Sequence, residues 1–240
     1  MPELLAISRH GQVAVVTLER PEKRNALSID LRIELADAFE GLGSDDSVGC
    51  VMLTGAGTAF CAGIDTTQFG GDLENRRRLV ESSTGAFRAV GRCPKPVVAA
   101  VNGPALAGGF ALALLCDIRV AAASATFGYP ELPIGIPPSY SAVRATISPA
   151  AARELCLTGR VIGAEEALSL QVVSEVVADE ELGDRALRLA ERIAAMPRAA
   201  QAETKRRILL DAERAFGELF AEEERVFREV LLESEPDPAA

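Results

Sequence analysis

The sequence predicts an α/β protein in which helices cross over between strands of covered sheets. Three observations lead there. Short apolar runs of strand length recur through the first half of the chain, separated by segments with helical spacing. Each run is apolar almost throughout rather than alternating, as expected for sheets buried on both faces. After Val177 the character changes to charged, amphipathic helix. Strands alternating with helices imply crossover connections and a layered α/β architecture.

The elements follow in order. Val13–Leu18 (VAVVTL) reads as a strand and is followed by the polar loop Arg20–Asn25. A helix runs from Ile29 to about Leu42, with Leu31, Leu35, Ala38 and Leu42 on one face. Cys50–Gly55 is a second strand, ending in the small-residue loop Gly55-Ala56-Gly57-Thr58. A charged helix spans Leu73 to Val90, and Pro96–Val101 is a third strand. A short apolar helix occupies Gly108–Leu115, then short strands Ile118–Ala122 and Ala125–Phe127. Beyond Glu180 three helices are expected, Arg185–Ala195, Ala199–Phe216 and Glu218–Leu232, with Pro197 separating the first two. The chain thus divides into a core over residues 1–179 and a helical region over 180–240.

Composition excludes several classes. A net charge of −10 disfavours a nucleic-acid surface, which needs clustered Lys and Arg. The longest apolar stretch, Phe110–Cys116, is too short to span a bilayer. Met1–His10 has no basic segment followed by an apolar run, so no signal peptide is expected. The five cysteines are odd in number, lack CxxC spacing and lie mostly in apolar surroundings, which reads as reduced core thiols of a cytoplasmic protein. His10 is the single histidine and reads as a surface residue. No metal-ligand spacing, GxxxxGK[ST] or GxGxxG occurs.

What remains is backbone chemistry plus a carboxylate. Two glycine-bearing loops follow strands, Thr54–Asp65 and Asn102–Gly109, and the second opens a helix. Helix-start N–H groups point outward with the positive end of the dipole. Two converging N–H groups would form an oxyanion hole, each donor worth about 3 kcal/mol in a transition state. The alternative is that the glycines serve only tight turns and close packing.

"AFCAGID" at 59–65, together with "KPVVAAVNGPALAGGFALALLCDIRVAAASATFGYPE" at 95–131, resembles the crotonase (enoyl-CoA hydratase/isomerase) family. "RPEKRNALS" at 20–28, "ELCLTGRVIGAEEALSLQVVSEVV" at 154–177 and "PRAAQAETKRRI" at 197–208 are similar to it as well. The resemblance implies a crotonase-like spiral of strand-strand-helix repeats and a C-terminal region that assembles homotrimers, or hexamers as dimers of trimers. It implies an acyl-CoA thioester substrate and no separate cofactor. The oxyanion donors would be the N–H groups of Ile64 and Gly108. Asn25, Ala26, Leu27 and Ala62 would line the CoA site. Lys23 and Arg24 would meet its phosphates, or else be plain solvated charge.

Family hydratases use two glutamates, the first three residues after the oxyanion glycine. Here that position is Ala111, whereas the second falls on Glu131. One carboxylate suffices to shift a double bond from the 3 to the 2 position, so 3-enoyl- to 2-enoyl-CoA isomerisation with Glu131 as base is the expected activity. A hydratase of reduced or specialised activity and a non-catalytic acyl-CoA-binding protein are the alternatives. Family dienoyl isomerases place an aspartate eight residues past the glutamate; Ser139 stands there and argues against that reaction. Capping of the following helix is the plainer role for Ser139.

Overall fold

The computed structural model describes residues 4–233. Its strands are β1 (Leu5–His10), β2 (Val13–Leu18), β3 (Cys50–Gly55), β4 (Val97–Val101), β5 (Ala105–Leu106), β6 (Ile118–Ala122), β7 (Thr126–Gly128), β8 (Val161–Gly163) and β9 (Glu175–Val177). Its α-helices are α1 (Ile29–Ser44), α2 (Leu73–Gly91), α3 (Gly108–Leu115), α4 (Tyr140–Thr146), α5 (Pro149–Thr158), α6 (Ala164–Ser169), α7 (Leu182–Ala194) and α8 (Arg198–Glu233). Six strands form one sheet in the order β1-β2-β3-β4-β6-β9, antiparallel only between β1 and β2. A second sheet has the order β5-β7-β8.

The unbroken apolar strands are explained by two separate layers. Side chains alternate across a strand, so Ala14, Val16, Leu18, Val51, Leu53, Val97, Ala99 and Val101 face one core, shared with Leu31, Leu35, Phe39 and Leu42 of α1. Val13, Val15, Cys50, Met52, Val98, Ala100, Val120 and Ala122 face the other, closed by Leu182, Ala186, Leu189, Ala190 and Ala194 of α7. Helix α7, which lies in the helical region over 180–240 rather than in the core over 1–179 by sequence, therefore covers the second face of the sheet. All five cysteines are buried and free, and His10 is exposed at the end of β1.

Two expectations are corrected. The two last helices are one: α8 runs 36 residues straight through Gly217. An interior glycine costs only about 1 kcal/mol, and α8 is anchored on both sides of it, by Arg92–Glu213 (2.9 Å) and by Arg88–Glu224. Ser139 occupies the N-cap position of α4, but its side chain makes no capping bond. Instead Glu223 of α8 accepts the Ser141 N–H at 2.7 Å.

The start of α8 is fixed by a buried ion pair. Lys205, 3 % exposed, places Nζ 2.6 and 2.7 Å from the Asp117 carboxylate. Asp117 Oδ2 also accepts the Val97 N–H at 2.7 Å, tying α8 to the entry of β4. Lys205→Met strands that carboxylate without its cation and is expected to cost about 3 kcal/mol, read as a lowered denaturation midpoint.

Candidate active site

Parallel bridging fixes the first donor. Leu27 donates its N–H to Gly63 O (2.7 Å) and accepts the Asp65 N–H (3.2 Å), so the peptide groups flanking Ile64 are committed to the loop at 24–27. Ala62 donates to Arg24 O at 2.9 Å in the same ladder. Arg20 locks the pair of loops from the side, donating Nη1 to Ala26 O and Nη2 to Asp65 at 3.0 Å. Burial alone would raise the Asp65 carboxyl, but the Thr67 and Arg20 donors outweigh it and hold it below its usual range.

The second donor stands at the start of α3. Cys61 donates to Pro104 O (3.1 Å) and accepts the Leu106 N–H (3.0 Å), bringing the two glycine-bearing loops side by side. Ala107 then adopts φ 52° and ψ −127°, a conformation rare for a residue with a Cβ. Such strain persists where surrounding structure enforces it; here the Ala107 N–H is held by Gly128 O at 2.9 Å. A Cβ on Gly108 would lie 3.5 Å from Ile64 N and 3.3 Å from the Phe87 ring. The side-chain-free position keeps the space before both N–H groups open. Among the described residues neither the Ile64 nor the Gly108 N–H has a hydrogen-bond acceptor.

Both residues line one cavity of about 330 Å³, walled mainly by apolar side chains such as Phe87, Leu115, Ile136, Phe220 and Phe227. Glu131 lines it too, at the head of the 3-10 turn Leu132–Ile134. Its Oε2 is buried with no hydrogen-bond partner among the described residues, and burial pushes the carboxyl up to about 7. Ala111 presents only a methyl to the same space. Ile64, Gly108 and Glu131 are thus brought together.

The six residues expected at the CoA site lie outside the cavity lining. The Asn25 side chain is a strut: Oδ1 accepts the Arg20 N–H at 3.0 Å and Nδ2 donates to Ala56 O and Ala59 O at 2.9 and 2.8 Å. Leu27 is wholly buried in the core. Both Leu27 backbone groups are also spent in the ladder to Gly63 and Asp65, so the structure corrects the expectation for Asn25 and Leu27, which support the loop from beneath, and leaves half-buried Ala26 and Ala62 at its surface. Lys23 and Arg24 are exposed and have no ion-pair partner among the described residues, so both charges are available to an anion.

Residues of α8 complete the cavity, and sequence reasoning missed them. Phe220, Glu223, Val226 and Phe227 line it. A glutamate-rich helix reads as solvated; its Phe220 and Phe227, seven residues and so nearly two turns apart on one face, were the available signal.

The family model described as enoyl-CoA hydratase/isomerase matches residues 8–236. A probable enoyl-CoA hydratase of Rhizobium meliloti is 35% identical over 95% of this chain and 90% of its own. The short-chain-enoyl-CoA hydratase of Clostridium acetobutylicum is 34% identical over 91% of this chain and 90% of its own. A crystal structure of an enoyl-CoA hydratase/isomerase from Mycobacterium paratuberculosis superposes with a TM-score of 0.90 at 29% identity, covering 97% of this chain and 95% of that one. The fold with its paired backbone donors, the matching family model and these relatives agree: the chain belongs to the enoyl-CoA hydratase/isomerase (crotonase) family.

Proposed function

We propose that the protein isomerises 3-enoyl-CoA to 2-enoyl-CoA thioesters with Glu131 as the single base. The observation that carries this reading is the unpartnered, buried Glu131 oxygen in the same cavity as two unspent backbone N–H groups. The thioester oxygen accepts from Ile64 and Gly108 N–H. Glu131 removes a proton from C2, the electron pair moves onto that oxygen as a dienolate, and the same carboxyl returns the proton at C4. A carboxyl whose pKa lies near 7 is matched to taking and giving a proton at neutral pH. Loss of isomerisation in Glu131→Gln tests the assignment; retained activity would refute it.

The CoA moiety meets half-buried Ala26 and Ala62, whose loops Asn25 and Leu27 hold from beneath, with Lys23 and Arg24 toward its phosphates. Lys23→Gln/Arg24→Gln is expected to raise KM about tenfold with kcat within about twofold, because exposed charge pairs contribute roughly 1 kcal/mol. A salt-independent, unchanged KM would remove these residues from the site. We assign α8 to contact between subunits of a trimer or of a dimer of trimers; it carries the exposed Ile208 and Leu210, whereas α7 is engaged within the core. Among the described residues no helix is long and apolar enough to cross a membrane.

Hydration of 2-enoyl-CoA is the second reading, favoured by the hydratase names of the relatives above.

A further inference from the structure

Three consecutive glutamates of α8 line the cavity, Glu222, Glu223 and Glu224. Two are committed to arginines: Glu222 to Arg225, Glu224 to Arg88. Glu223 has no cation partner among the described residues, and its donors are neutral. Its Oε2 accepts the hydroxyls of Ser139 (3.1 Å) and Ser141 (2.6 Å), and its Oε1 accepts the Ser141 N–H (2.7 Å).

This difference in partners is chemical. A guanidinium only donates, so it holds its carboxylate ionised. A hydroxyl donates or accepts, so when Glu223 gains a proton a serine can rotate and accept from it. The arrangement tolerates both charge states. Burial also pushes the Glu223 carboxyl upward, toward the neutral form. The titratable groups near it include Glu131 and Tyr140, which line the same cavity, and Tyr129 and Cys156. Burial raises the last two out of the neutral range, Cys156 to about 12.

Adding water across a conjugated C2=C3 bond needs two proton positions. Water loses a proton as its oxygen bonds to C3, and C2 gains one. Glu131 is one such group, and Ala111 offers none. We propose that Glu223 is the second proton-transfer group of the cavity, accepting the proton of the water that attacks C3 while Glu131 delivers its own to C2. This rests on the reading of the cavity as an enoyl-thioester site. In the step the C2=C3 π bond breaks and O–C3 and H–C2 bonds form, with the charge passing through the thioester oxygen. Glu131 ends ionised and Glu223 protonated, and exchange with solvent resets both. The chain thereby hydrates with one carboxyl from the loop after β7 and one from α8.

The test uses the full-length protein with crotonyl-CoA for hydration and 3-hexenoyl-CoA for isomerisation. Glu223→Gln is expected to lower hydration kcat about 100-fold, to remove one limb of its pH profile, and to leave isomerisation within about threefold. Glu223→Asp, which keeps the ion and its serine donors, recovers part of the hydration and serves if the Gln variant folds poorly. Glu213→Gln, which removes only the ion pair with Arg92, changes neither reaction. Unchanged hydration in Glu223→Gln overturns the proposal. So does an equal loss of both reactions, which makes Glu223 a mere fastening of α8, or a wild-type protein that does not hydrate. Isomerisation that survives Glu131→Gln refutes the reading of Glu131 instead, whatever Glu223 does.

Discussion

Glu131→Gln is expected to slow double-bond migration about 10³-fold while thioester binding stays within about threefold. The substitution keeps shape and removes the proton acceptor, and positioned acid–base groups contribute 10² to 10⁴. Isomerisation kcat/KM of the wild type should rise with pH and level off above about 7, where the carboxyl is ionised. The same shift has a cost in stability. The folded value of about 7 lies above the ordinary 4.5, so folding favours the protonated form. That contribution is fully present below about 4.5 and is lost as pH rises through 7. Glu131→Gln should therefore be more stable than wild type at pH 8, by on the order of 3 kcal/mol, with the gap narrowing toward pH 5. Denaturant titrations at the two pH values check this. Coincident curves at pH 8 would mean that the carboxyl is solvated, and would remove the basis of its activation.

Gly109→Ala is expected to be the most damaging single methyl addition in the site. The new Cβ would lie 2.1 Å from Cys61 O and 2.7 Å from Cys61 C. Both are backbone atoms of the loop carrying Ile64, and Cys61 is bridged to Ala105, so neither side can yield by rotating a side chain. A destabilisation of about 5 kcal/mol follows, in the range reserved for severe steric conflict in a core. Activity should fall even where the variant folds, since separating α3 from Cys61 moves Gly108 away from Ile64. A loss under about 1 kcal/mol by chemical denaturation would contradict the tight approach of the two loops.

The legible parts of the sequence were those where local pattern and tertiary burial agree. Strands β2, β3 and β6 and helix α3 coincide with their expected ranges because each is a short, mainly apolar run set off by polar or glycine residues. Strand β1 was not legible: LAISRH is mostly exposed and is held by a single antiparallel neighbour, so no apolar face marks it. Nor were β8, β9, α4 and α6 assigned, being too short for a period to develop, nor α5, of whose ten residues only Ala152, Leu155 and Cys156 are buried. The glycine at 217 suggested a break that long-range anchors override. Within the site, Glu131 and Gly108 were named from the family resemblance, and the structure brings both to one cavity. The strut made by Asn25 and the arrival of Glu223 depend on contacts between segments 31 to 84 residues apart, which no local pattern reports.

The ladder between residues 24–27 and 62–65 has a mechanical consequence. Leu27, Arg24 and Arg20 grip the segment that carries the Ile64 donor from both directions. On the reading proposed above, a CoA moiety seated against the loop at 24–27 presses on the same rigid unit that presents the Ile64 N–H. That proposal makes the handle part of the catalytic apparatus rather than a passive tag, because its affinity is converted into alignment at the reacting carbon.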